Sequence, residues 1–210
     1  MAKSKIEICN IALGLVGSAA IRDFNEDNKR ARMCELFFDF TRDELLAKLD
    51  WTFARCIVKL QNVVTDLPTP AGWQVCQLPS DCVAPRSLEP QGTQVRWEVF
   101  GDKLRTNLAG SVYLRYTKLE TDVSVYTPIF CNLLALGLAV KLCMPIAQDK
   151  KLFENLTNMY RTMEFDTLEA DANIGTMYKE YDNDPNNDTF VSSGGNHIRS
   201  PGTSAWQSTD

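Results

Sequence analysis

Proton-transfer chemistry near neutral pH most often recruits histidine, whose reference pKa of about 6.5 lets it both take and give a proton. This chain has one, His197, set among the Gly, Ser and Asn residues of its last stretch. A Ser-His-Asp or Cys-His site built on it would need that stretch to fold over the body, and a segment of such composition supplies no rigid shell for the imidazole. Carboxylates offer a second route. Glu164, Asp166, Glu169 and Asp171 cluster towards the end of the last helical pattern, where a pair could serve as acid and base on a glycosidic bond. The pattern places them on an exposed face, where no desolvation separates their pKa values, so a solvated acidic face is expected. The alternative it leaves open is a cell-wall glycan hydrolase working through Glu164 and Glu169. Gly14-Leu15-Val16-Gly17 closes a helix and does not follow a strand, so it lacks the context of a phosphate loop. Gly194-Gly195 reads as a joint. No catalytic residue and no cofactor is expected.

The seven cysteines, Cys9, Cys34, Cys56, Cys76, Cys82, Cys131 and Cys143, are an odd number and lie mostly in apolar segments. That suits buried free thiols better than a disulfide framework. Only Cys76 and Cys82 are close, and the five residues between them match no zinc-site spacing, so no metal is expected. The opening Met1-Ala2-Lys3-Ser4-Lys5-Ile6-Glu7 lacks the apolar run and small-residue site of a secretory signal, which predicts a reducing compartment.

At 210 residues, with 44% hydrophobic and 23% charged residues, the chain can close one sizeable core. Its net charge of −5 and pI near 5.0 give no cationic field to gather phosphates, which disfavours nucleic-acid binding as the main activity. Slippery contact with nucleic acid is still compatible with it. Ile129 to Ala147 is apolar, yet Asn132, Lys141 and Pro145 interrupt it, so a central bundle helix is expected and no membrane partner.

The elements that would position any site follow from spacing. Ser4 and Glu7 form a capping box ahead of Ile8, Ile11, Ala12 and Leu15, and Gly17 stops that helix. Ala31, Cys34, Phe37, Phe38, Thr41, Leu45 and Leu49 mark a second helix of about six or seven turns. Its outer face carries Lys29, Arg30, Arg32, Asp39, Arg42, Asp43 and Lys48, read as solvated. Pro68, Pro70, Pro79, Pro85 and Pro90 then forbid a long helix. Alternation predicts strands at 73–78, 94–100, 103–106 and 112–116, forming one small antiparallel sheet with a face on the helices. Thr127 and Pro128 open the apolar helix through Leu133, Leu136, Val140 and Cys143, which Pro145 ends or kinks. Asp149 caps a last helix with Leu152, Leu156, Met159 and Met163 on one stripe beside Phe153 and Tyr160, and the periodicity fades past Gly175.

The expected fold is mainly α with a small antiparallel β insert, an α+β arrangement. Residues 1–60 and 120–178 would form an antiparallel helical bundle, 61–119 a β-rich insert with hairpins, and 179–210 an extended C-terminal arm. That arm is polar except for Phe190, Val191, Ile198 and Trp206, spaced like beads that could seat in separate pockets on a neighbour.

In order, these landmarks resemble the tail tubular protein A family and related head-to-tail adaptors of short-tailed bacteriophages. The likeness is carried by Leu49-Asp50-Trp51-Thr52-Phe53-Ala54 at the end of the long helix, then Leu78-Pro79-Ser80-Asp81-Cys82, then Trp97 through Gly101-Asp102-Lys103-Leu104. It continues through Val112-Tyr113-Leu114-Arg115-Tyr116, the opening at Thr127-Pro128 and the last helix with Tyr160, spanning about residues 4–175. The resemblance implies a virion protein at the head-tail junction, assembled in the host cytoplasm. It would form a homo-oligomeric ring, usually twelve copies, bound beneath the portal protein and above the tail nozzle protein, with duplex DNA passing through its centre at ejection. Seating Phe190, Val191, Ile198 and Trp206 against the portal or a neighbouring subunit is a further expectation, since the arm lies outside the resembling region.

Overall fold

The Ser4 hydroxyl accepts the Glu7 N–H at 3.1 Å while the Glu7 carboxylate accepts the Ser4 N–H at 2.8 Å, and this box opens α1, Lys5–Leu15. Gly17, at φ 69°, closes it. Its N–H reaches the Gly14 carbonyl at 3.0 Å and the Ser18 N–H reaches that of Leu13 at 2.9 Å, so the last carbonyls are satisfied by a left-handed residue that glycine adopts without strain. The computed structural model describes residues 4–64, 67–89 and 95–180, with 168–180 as backbone. The buried side of α1 is Ile8, Cys9, Ala12 and Leu13. Ile11, expected in the stripe, is 50% exposed, and Leu15 lies at the margin. Cys9 and Leu13 face the core from the opposite flank and rotate the stripe away from both.

Asn28 takes the Ala31 N–H at 2.8 Å and starts α2, Lys29–Lys48, whose 20 residues span about 30 Å. It buries Ala31, Cys34, Phe38, Thr41, Leu45 and Leu46. Leu49 then turns extended, and the Trp51 indole N–H donates to the Leu45 carbonyl at 2.9 Å, holding the helix end.

Thr127 and Pro128 open α3, Pro128–Leu142, as expected. The stretch Pro128–Ala147 is long and apolar enough to cross a membrane by length and composition, but most of it is buried within this chain, which makes it the helix the others pack around. Pro145 sits in a π turn, Cys143–Ala147, that continues the helix before Gln148 at φ 56° breaks it. Asp149 accepts the N–H groups of Lys151 and Leu152 at 2.8 and 3.1 Å and caps α4, Lys150–Glu180. This helix runs past Gly175, further than the fading periodicity predicted. Leu156 is buried, with Leu152, Phe153, Tyr160 and Met163 packed beside it, whereas Met159 is 54% exposed and falls outside the stripe.

Trp51, Phe53, Tyr126 and Phe130 close one end of this helical core, with the Phe130 ring 4.7 to 4.9 Å from the other three in edge-on contacts. At Gly137 on α3, an added Cβ would stand 3.0 Å from the Tyr160 ring and 3.2 Å from the Thr41 methyl, so α2 and α4 both crowd that point of backbone.

Two antiparallel sheets stand where one was predicted, and with the four helices they make a mixed α+β fold. The first orders β1 (Arg55–Lys59), β7 (Tyr113–Lys118) and β4 (Cys82–Glu89) as β1-β7-β4. The second orders β2 (Gln61–Asn62), β3 (Gln74–Gln77), β6 (Lys103–Thr106) and β5 (Trp97–Phe100) as β2-β3-β6-β5. β4 escaped the sequence reading because Pro85 lies inside it. Register shifts between Cys82 and Ala84 and between Pro85 and Ser87 accommodate the missing N–H.

A second apolar core unites Leu60, Cys76, Leu78, Leu88, Leu104, Val112, Leu114 and Tyr116 from both sheets. The first sheet does turn a face to the helices, β4 and β7 lying against α2 with Val83 packed on the helical core, but polar side chains make much of that contact. Leu114 and Tyr116 of β7 join the β core, while the alternate residues Arg115 and Thr117 make polar contacts towards the end of α2. By compactness the chain divides into Met1–Ile174, which holds both cores, and Gly175–Asp210.

Candidate interaction surface

The charges of α2 are not a uniformly solvated face. Arg42, expected on the outside, is 5% exposed and is clamped by Asp39 at 2.6 Å and Asp43 at 2.7 Å. A second network ties three helices together. Lys48 reaches Glu44 at 3.3 Å and Glu164 at 3.1 Å, and Lys141 of α3 reaches Glu44 at 2.7 Å. The Lys141 hydrogen bond holds the Glu44 carboxyl below its ordinary range against a smaller upward push from burial. Burial pulls the Lys48 ammonium down, but the hydrogen bond and charge of Glu164, with Glu44, outweigh it and leave the pKa raised.

Glu164 is consequently half-buried and ion-paired with Lys48, not part of a solvated acidic face. Asp166 is exposed, while the side chains of Glu169 and Asp171 lie outside the described residues. Of the four carboxylates only Glu164 and Asp166 have described side chains, and the ion-pair partner of Glu164 is Lys48. Among the described residues, no group of three or more His, Cys, Asp or Glu is placed to hold a metal ion.

All seven cysteines are free thiols. A hydrogen bond between Cys9 of α1 and Cys34 of α2 raises the first thiol and lowers the second, and both are fully buried, so the lowered one has no access to a substrate. Burial pushes the Cys82 thiol up to about 11.

Guanidinium groups join the two cores. Arg86 of β4 donates from Nη2 to the carbonyls of Leu46, Ala47 and Leu49 at 3.0, 3.0 and 2.6 Å, and from Nε to the Thr117 hydroxyl at 2.8 Å. It caps the last turn of α2 from a strand, where cationic charge also suits the helix dipole. Just beyond, Asp50 binds Arg115 of β7 and, at 3.0 Å, Arg55 of β1. Burial pushes the Asp50 carboxyl up, and the two arginines overcome that and hold it below its ordinary value.

What the described residues offer to a partner is apolar surface. On α2, Leu36 and Phe40 are 61% and 64% exposed, on the side opposite the buried stripe. Ile129 of α3 and Phe165 of α4 are also exposed. Phe40 keeps a cation over its ring, Lys141 Nζ at 4.2 Å from the centroid. None of these was picked out from the sequence, although Met33, Leu36 and Phe40 repeat at the three- and four-residue spacing of a helical seam. The docking residues that were picked out, Phe190, Val191, Ile198 and Trp206, lie outside the described residues, as does His197. The sequence matches no protein-family model, and a search of curated proteins returns no match.

Proposed function

We propose that this protein is a structural head-to-tail adaptor of a phage virion, forming a homo-oligomeric ring beneath the portal that joins it to the tail nozzle and gives the genome a passage. The observation that carries this reading is the exposure of large apolar side chains on separate helices, Leu36 and Phe40 on α2, Ile129 on α3 and Phe165 on α4. A ring subunit needs that kind of surface, since it meets a neighbour on each side and further partners above and below. The resembling segments add support by their positions. Leu49 to Ala54 form the exit of α2, 78–82 the step from β3 to β4, and 97–104 the hairpin of β5 and β6. In this reading an antiparallel helical bundle forms the ring body, the β layer is an insert, and residues 179–210 are an arm whose Phe190, Val191, Ile198 and Trp206 seat against the portal or a neighbouring subunit.

Charge supports passage as well. Twelve copies at −5 each would carry formally about −60, so a lumen sharing that sign would let duplex DNA slide instead of holding it. An arm that orders only on docking would also delay ring closure until the portal is present.

Negative-stain microscopy of the protein mixed with portal tests the reading. The expected result is a ring stacked on the portal that is lost when the chain is truncated after Tyr181, with the far-ultraviolet spectrum of the body unchanged. Normal portal binding by the truncated chain would remove the arm from the proposal, and no ring with either chain would remove the adaptor. The glycan-hydrolase alternative gains nothing from Glu164, whose carboxylate is held by Lys48.

A further inference from the structure

Cys9 and Cys34 are closed off from outside molecules in the folded chain, but they meet each other. Along that contact α1 and α2 run in opposite directions. Lys5 pairs with Asp39 at 3.2 Å and stands over the Phe38 ring at 5.3 Å. One turn further along α1, and one turn back along α2, the Cys9 thiol donates a hydrogen bond to the Cys34 sulfur. The same register carries on to Ala12 and Ala31, both fully buried. Such small side chains at the next turn let two helices approach closely, and a sulfur-sulfur bond between helices requires that approach.

We infer that Cys9 and Cys34 form a redox-sensitive pair that closes to a disulfide under peroxide and fastens α1 to α2. The reaction balances with hydrogen peroxide as the only oxidant. The Cys34 sulfur attacks one peroxide oxygen, the O–O bond breaks, and the departing hydroxide takes the Cys34 proton as water, leaving a sulfenic acid. The Cys9 sulfur then attacks that sulfenic sulfur. The S–S bond forms, the S–O bond breaks, and the hydroxyl leaves with the Cys9 proton as a second water. Each sulfur loses one electron, and the two peroxide oxygens gain them. Cys34 acts first because the hydrogen bond from Cys9 favours its thiolate.

Burial sets the rate. Peroxide reaches the pair when α1 opens locally, and α1 buries four of its residues where α3 buries ten. Reduced, α1 keeps that freedom; oxidised, it is tied to α2 across the chain between residues 9 and 34. The pair stands on its own geometry, whether or not the adaptor reading does.

Peroxide treatment of the full chain, followed by alkylation of the remaining thiols and tryptic mapping, tests this. Peptides 6–22 and 33–42 each carry one of the two cysteines and no other. The expected main product is these two peptides joined, lighter by a pair of hydrogens than their sum and separated again by dithiothreitol. A chain reacting from its unfolded state would instead favour Cys76 with Cys82, six positions apart, since short loops close at the least entropic cost. In the oxidised native chain the α1 amides should exchange about tenfold more slowly or better. In Cys34→Ala, which keeps a small apolar side chain at the site, peroxide should leave α1 exchange unchanged. The mapping uses the native chain, so it holds even if that variant folds poorly. Cys9 and Cys34 still alkylated after peroxide, sulfinic acids that dithiothreitol cannot reverse, or a dominant link between Cys76 and Cys82 would each overturn the pair. Joined peptides with α1 exchange unchanged would overturn the fastening.

Discussion

Around Gly137 three helices meet over one stretch of backbone chiefly through apolar contact, with the ion pairs of Lys48, Glu44, Lys141 and Glu164 nearby; between α2 and the strands β4 and β7 the two layers meet through guanidinium groups, carbonyls and a carboxylate. The contrast is one of direction. Apolar packing among α1, α2, α3 and α4 tolerates some rotation of each helix, because dispersion and desolvation scale with buried area and not with angle. The junction does not, since Arg86 must meet three carbonyls and a hydroxyl at hydrogen-bond distance. One region supplies bulk stability, and the other fixes how the β layer is set on the helices.

Filling the tight point in the helical core should produce the largest effect. Gly137→Val would drive branched carbons into the Tyr160 ring and the Thr41 methyl, and it should cost about 3 kcal/mol in denaturant unfolding. Gly137→Ala should lie near zero, because the roughly 1 kcal/mol gain in helix propensity offsets a contact that the Tyr160 ring can partly relieve by shifting. A Gly137→Val chain as stable as the native one would mean that α4 does not press on α3 here.

Removing the directional contact should cost less overall but act locally. Arg86→Met keeps most of the side-chain volume and leaves the Leu46, Ala47 and Leu49 carbonyls without their guanidinium, a loss of about 2 kcal/mol. Hydrogen exchange should quicken in the last turn of α2 and in β7 while the amides of α3 keep their protection. Arg86→Lys should not rescue it, since an ammonium cannot reproduce the planar fork. Uniform loss of protection across both layers would show that the junction is not separately stabilised.

The same contrast explains what the sequence made readable. Helix starts at Ser4, Thr127 and Asp149 were legible because each depends on a side chain bonding backbone two or three residues away. The burial of Arg42 and the exposure of Ile11, Phe40 and Met159 were not. Those depend on which partner helix covers which flank, and spacing alone cannot assign it. Arg86 was invisible for a related reason, being some 40 positions from the carbonyls it binds. β4 was hidden by Pro85, whose bulges are visible only beside β7. Of the interaction surface, the apolar beads beyond residue 189 drew notice because they stand out in a polar stretch, whereas Leu36 and Phe40 were masked by an already apolar helix.

The smallest expected effect probes the rim of the junction by pH. Asp50 lies between Arg55 and Arg115, and their hydrogen bonds outweigh burial to keep its carboxyl below the ordinary 3.8. Since the folded state binds that proton less readily than the unfolded chain, the stabilisation is complete above about pH 4 to 5 and is lost as pH falls through the folded-state value. Asp50→Asn should cost about 1 kcal/mol at pH 7, held to that size because both arginines are partly open to solvent, and it should flatten the acid limb of stability against pH. Glu44, lowered by Lys141, titrates in a neighbouring window below its ordinary 4.5 and belongs to the helical core, so Glu44→Gln should leave the Asp50 share of that limb in place. If the Asn variant kept the full acid dependence, Asp50 would not be the group that ties the strands to the end of α2 by charge, and the weight of the junction would shift to Arg86 alone.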